Sequence, residues 1–304
     1  MAGDKHVLRD VLIVAGQELA ESIRTRRAIL LLILFCGGTV AGTWAFTSFL
    51  RTVEMQLVDA LGLDAGATGG ATAALWKSPF FRRVMINMAG HNIALAEALL
   101  QFTPLGLFFG WLAMSFGPWL VVLSSSGRMA EEIGSGSARF VLCRTTRLAW
   151  AFGKFLGQAA QLLVALLLSG LAAWLTGLAR FEAFSGAAVL RDVLLFAPKA
   201  WVYGLAFLGL VTAISMCCRS PGVANTLGVA AFLAITAIYH AARHYAGDGW
   251  RRIFDAVQVM LPNGHYFDLM RPDWDHALPA ALFLLALGLG YLFLGYARLM
   301  HQDL

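Results

Sequence analysis

Charge is scarce in this chain: only 13% of its 304 residues are Asp, Glu, Lys or Arg, against 59% apolar. So little polar surface cannot cover a water-soluble globule, and the soluble classes are excluded. Cysteine is scarce too, with four residues, Cys36, Cys143, Cys217 and Cys218. Cys36 lies inside an apolar run and the others border the face expected to be reducing, so no oxidised framework is implied and all four read as free thiols. A phosphate-cradling G-x-x-x-x-G-K-[ST] loop is missing. Gly153-Lys154 is followed by Phe155, and Gly134-Ser135-Gly136-Ser137 has no lysine after it. Nucleotide hydrolysis would therefore need another polypeptide. No H-E-x-x-H, G-x-S-G or facing carboxylate pair occurs, which leaves an intramembrane enzyme without a reactive centre.

What the chain does have is long apolar runs. Crossing a hydrocarbon core takes roughly 20 apolar residues in a helix, and six stretches qualify: about 28–50, 102–123, 155–178, 193–217, 222–242 and 277–297. The reading is an all-α integral membrane protein, a single domain of six transmembrane helices over 1–304. The first run follows a charged segment and exceeds a signal h-region, so it reads as a span rather than a cleaved leader. With those boundaries no Asp or Glu falls inside a span. An ion-gradient transporter needs such a group at membrane depth. The one charge is Lys199, beside Pro198 at the start of the fourth run, where it is expected to snorkel to the outer interface.

Orientation follows from the Lys and Arg residues. The cluster Arg24, Arg26 and Arg27 abuts the first span, and the segment between spans two and three is dense in base, which predicts cytoplasmic termini in an inner membrane. Ahead of the first span, residues 1–27 form an expected interfacial helix. Val7, Leu8, Val11, Leu12, Ala15, Leu19 and Ile23 share a face, with Asp10, Gln17, Glu18 and Glu21 opposite. The outer loops, 51–101 and 243–276, are too long for tight turns. The first reads as a short helical pair and the second as short helices on the membrane surface.

The most informative stretch is 124–154. It reads Glu131-Glu132, then Gly136-Ser137, Arg139, Phe140-Val141-Leu142, Arg144-Thr145-Thr146-Arg147 and Gly153-Lys154-Phe155-Leu156-Gly157. This order and spacing resemble the cytoplasmic coupling segment of the type-2 ABC permease family, the membrane subunits of ATP-driven exporters that include copper-maturation and multidrug permeases. Arg144 stands where that family has proline, which leaves open whether the local helix stops there. Leu261-Pro262-Asn263 and Phe267-Asp268 resemble an outer-loop pattern of the same family. The resemblance implies a type-2 ABC permease-like fold with no cofactor on this chain, ATP and Mg being held by a separate ABC ATPase subunit. It also implies docking of that subunit through Glu131, Glu132, Gly136, Ser137, Arg139, Arg144, Thr146, Arg147 and Lys154, with the interfacial helix taking part. A second permease copy, or a related one, would complete the pathway.

Other constellations are weaker. Met85, Met88 and His91 recur at helical spacing, and His240 and His244 lie one turn apart. Soft thioether and imidazole ligands can hold copper or zinc, but packing and interfacial roles explain both sets, and no metal site is assigned. No feature points to nucleic acid; the membrane lipid is the expected surroundings. Largely uncharged spans suit export of a lipid-like or amphipathic cargo, or a mechanical role. A membrane scaffold without transport is the remaining alternative.

Overall fold

The computed structural model describes residues 2–24, 26–61, 76, 78–89, 92–180, 185–244 and 251–301, and all regular elements among them are helical. They are α1 (Ala2–Arg24), α2 (Arg26–Leu61), α3 (Pro79–Met88), α4 (Ile93–Leu99), α5 (Pro104–Ser125), α6 (Arg128–Ser135), α7 (Ser137–Leu142), α8 (Arg147–Arg180), α9 (Gly186–Cys217), α10 (Pro221–His244), α11 (Arg251–Met260), a 3-10 turn (Pro262–His265), α12 (Tyr266–Met270) and α13 (Trp274–Met300). Six helical stretches are long and apolar enough to cross a membrane: 28–53, 104–135, 147–180, 186–217, 221–244 and 274–300. Leu30, Ile33, Leu34 and Leu294 are each more than 60% exposed. Large apolar side chains turned outward are tolerated because lipid tails are as apolar as leucine.

Helix α9 is the hub, packing on α13, α5, α8 and α10. In lipid no hydrophobic force drives helices together, so contact relies on close backbone approach at small residues. Gly209 faces Gly288, and a Cβ on either would collide with the other helix's backbone; Gly295 stands likewise against Ala213. Capping fixes where α5 begins: Thr103 Oγ1 accepts from Gly106 N at 3.1 Å, and Pro104 occupies the first turn.

Two expectations about charge need correction. The fourth helix starts at Gly186, not near Val193, so it includes Asp192, which is fully buried. Its Oδ2 accepts from the backbone N and the hydroxyl of Thr103, both at 2.7 Å, and its Oδ1 from Arg191 at 3.0 Å. An apolar window stops at Arg191-Asp192 because hydropathy treats a charge as solvated. Here the carboxylate is solvated by the N-terminus of α5. Lys199 does not snorkel: it is 7% exposed, and its Nζ donates to the carbonyl of Arg271 at 2.6 Å. The segment ahead of α13 brings that acceptor to the ammonium, which removes the reason to reach for water.

The 51–101 stretch contains the continuation of α2 and the helical pair α3 and α4. Ser78 and Asn92 cap the pair by accepting from Phe81 N and Leu95 N. The 243–276 stretch folds as α11, the 3-10 turn and α12.

Candidate site where the N-terminal helix meets the 124–154 segment

Helix α1 lies against the first turns of α8. Gly153 and Gly157, one turn apart, make the approach possible: a Cβ at Gly153 would stand 2.6 Å from Val14 Cβ, and one at Gly157 2.7 Å from Glu18 Cβ. The face of α1 turned inward is therefore Val11, Val14, Glu18 and Ser22, all buried, while Leu8 and Leu12 of the expected apolar face are exposed. Glu18 was expected among the solvated acids of the opposite face. It is instead 2% exposed, because two cations meet it there.

Those cations are Arg128 and Lys154. Arg128 Nη1 donates to Glu18 Oε1 at 2.8 Å and to Ser22 Oγ at 2.7 Å, and its Nε to the Ser124 carbonyl at 3.1 Å. Lys154 Nζ donates to Glu18 Oε2 at 2.6 Å and also to Glu132 Oε1. Trp150 Nε1 donates to the other oxygen of Glu132 at 3.1 Å, and Gln158 Nε2 reaches Glu18 at 3.4 Å. One buried network thus ties α1, α6 and α8. Its charges are two acids against two bases, so each buried carboxylate has a counter-ion and hydrogen bonds. Sequence reasoning picked out Glu132 and Lys154 but missed Glu18, Arg128 and Trp150. The signal was there in part, since Glu18 continues the Val11, Val14 register.

The segment itself is held by backbone chemistry. Gly136 has φ +75°, a left-handed conformation that lets α6 stop and α7 start at an angle. The Ser137 hydroxyl donates to the Glu132 carbonyl at 3.3 Å. A hydroxyl residue after that glycine thus closes the last turn of α6. Beyond α7, Arg144 N and Thr145 N both donate to the Val141 carbonyl at 3.0 Å, so the chain turns at Arg144 without the proline. Thr146 Oγ1 accepts from Ala149 N at 3.1 Å and caps α8. Arg147 Nη1 donates to the carbonyls of Leu299 and Met300 at 2.8 and 3.1 Å, placing a cation on the C-terminus of α13. Ala130 N donates to Ser215 Oγ at 3.0 Å, and Gly134 abuts the Arg219 carbonyl, so α6 is also fixed to the end of α9.

The nine candidate residues therefore divide. Glu132, Arg147 and Lys154 bond within the chain, and Gly136, Ser137 and Thr146 shape its turns. Glu131, Arg139 and Arg144 are exposed, and beside them Phe140 stands 79% exposed. Arg24 and Arg26 are exposed at the junction of α1 and α2, followed by Arg27.

A family model described as ABC-2 family transporter protein matches residues 12–249. The chain belongs to that family. It is a membrane permease subunit of an ABC transporter, the transmembrane partner of an ABC ATPase subunit rather than the ATPase. A search of curated proteins returns no match.

Among the described residues, Glu18, Glu21 and Glu132 form the one grouping of three carboxylate, imidazole or thiol ligands, with oxygens within 4.8 Å of one another. In the permease the ammonium of Lys154 already bridges Glu18 and Glu132. Neither His240 nor His244 belongs to that group, and His91 lies outside the described residues.

Burial by itself would raise the pKa of Glu18, but Lys154 and Arg128 hold its carboxyl below the ordinary value. A depressed carboxyl stabilises the fold above its unfolded pKa and ceases to do so as pH falls through the folded one. Helix α1 of the permease should therefore stay docked from neutral pH down through the ordinary carboxylate range and release only below it. Protease cleavage within residues 2–24, followed against pH, checks this. Release at the pH of a free glutamate would contradict it.

Proposed function

We propose that the permease exports a lipid-like or amphipathic cargo using ATP hydrolysed by a separate subunit docked on α6 and α7. The observation that carries the reading is the division of charge in the 124–154 segment. One set of side chains clamps α6 to α1, α8 and α9 and, through Arg147, the start of α8 to α13, while Glu131, Arg139, Phe140 and Arg144 face outward. A soluble motor can move membrane helices only through an element rigidly joined to them. This segment meets that requirement at the starts and ends of four spans.

In this reading the termini, α6 and α7 are cytoplasmic, the membrane is the inner one, and Arg24 and Arg26 lie near anionic headgroups. The exposed Leu8 and Leu12 of α1 would rest in the interface. Two permease copies, or one with a relative, would form the pathway, and closure of paired ATPases would tilt α5 and α8.

The experiment is purification of tagged permease from its native membrane in mild detergent, with mass spectrometry of what stays bound. A stoichiometric partner carrying a phosphate loop, whose ATPase is stimulated by lipid or amphiphile, is the expected result. A chain that purifies alone under conditions preserving other membrane complexes would favour the scaffold instead.

A further inference from the structure

At the end of the bundle away from α6 and α7, a cavity of about 830 Å³ lies among α2, α3, α5, α10 and the stretch from the 3-10 turn to α12. Its walls are aromatic and thioether side chains, among them Phe46, Met85, Trp111, Trp119 and Phe232. Such walls suit an apolar body, and the volume is that of a small-molecule site.

The polar groups in it are few and under-used. Tyr203 Oη donates to Asn263 Oδ1 at 3.3 Å, Asn263 Nδ2 to Thr236 Oγ1 at 3.4 Å, and the hydroxyls of Ser115 and Tyr266 are 3.5 Å apart. All three separations exceed the ordinary range for such bonds; the Thr236 hydroxyl donates to the Phe232 carbonyl at 3.0 Å, while Tyr203, Asn263, Ser115 and Tyr266 keep capacity for a further partner. Asn263 belongs to the Leu261-Pro262-Asn263 stretch, whose buried proline fixes it beneath α10.

Helix α10 orders the cavity from end to end. Phe232, Thr236, His240 and Arg243 recur at intervals of three or four residues, so they share one face. Phe232 is buried, and His240 and Arg243 are exposed at the far end, roughly 16 Å along the axis by helix geometry. No aspartate or glutamate is among the described lining residues; the guanidinium of Arg243 supplies the charge, with the His240 ring about one turn before it.

We propose that this cavity binds an anionic amphiphile, with its apolar body between Trp111, Trp119 and Phe232 and its acid group at Arg243 and His240. The site selects by charge: an acid is drawn to Arg243, whereas an equally apolar cation meets a guanidinium with no carboxylate among the described lining residues to offset it. That the bound molecule is the cargo rests on the exporter reading, but the binding does not.

The test uses the full chain in nanodiscs of zwitterionic lipid, titrated with 12-bromododecanoic acid and with 12-bromododecyl trimethylammonium. Bromine quenches tryptophan on contact. Saturable quenching by the acid, at least tenfold tighter than by the cation and abolished in a W76F/W111F/W119F variant that removes every tryptophan among the described lining residues, is the expected result. Arg243→Glu, on an exposed side chain, should reverse the preference. Equal affinity for both probes, or an unchanged preference in R243E, overturns the proposal. Repetition with an anionic phospholipid in the nanodisc separates two sources of the same chemistry: competition assigns the site to a membrane lipid, its absence to a free acid. Loss of the acid preference with the ATPase partner still bound would remove this inference alone. Loss of the partner with the preference intact would remove the exporter reading alone.

Discussion

Replacing Lys154 by methionine is expected to destabilise the permease by about 3 kcal/mol, the low end for breaking a buried ion pair, because Glu132 loses its counter-ion and Glu18 loses one of two. Lys154 is 8% exposed at its side chain and bonds to both Glu18 and Glu132. Methionine fills the same volume, so the loss comes from charge rather than from a cavity. Glu18 would keep Arg128, but Glu132 would keep only Trp150. The effect should show as a lower thermal midpoint in detergent and as protease access to α1. A further variant isolates the cause: adding Glu132→Gln to Lys154→Met removes the uncompensated charge and leaves the Glu18–Arg128 pair balanced, and should recover most of the loss. If the double variant were no more stable than K154M, the electrostatic account would be wrong and lysine packing would be the alternative.

Replacing Phe140 by aspartate should leave the permease folded and weaken its association with the ATPase by about 30-fold or more. A central aromatic anchor contributes on the order of 2 kcal/mol to an interface. Phe140 is 79% exposed, so little of the packing among the described residues depends on it. An aromatic ring so exposed beside Arg139 and Arg144, on an element clamped from behind, has the composition of an interface anchor. The thermal midpoint is expected to stay within a degree or two while ATPase retained on purification falls. Unchanged retention would move the docking surface away from α7. The same comparison with Glu132→Ala separates the roles, because Glu132 should lose thermal stability first and partner binding as a consequence.

Much of this was legible without coordinates. The scarcity of charge gave the membrane class, and apolar run length gave six crossings, since bilayer thickness imposes a length on every span. The spacing from Glu132 through Gly136 to Gly153-Lys154 marked the segment that α6, α7 and the start of α8 build. What failed was the assignment of individual charges. Glu18 reads as a surface acid on a helical wheel, Asp192 as the flank of a span, and Lys199 as a snorkelling end. Each is buried, for each has partners more than 70 residues away in the chain.

The physical reason is that hydropathy and periodicity are local properties, whereas the cost of burying a charge is decided by what faces it. Sequence by itself determined that the chain is an all-helical membrane permease and where its short polar helices fall. Only the tertiary structure decided that Gly153 and Gly157 bring α1 close enough for Glu18 to meet Lys154. It alone separated the charges that clamp the segment from those that face outward, because long-range packing sets that division.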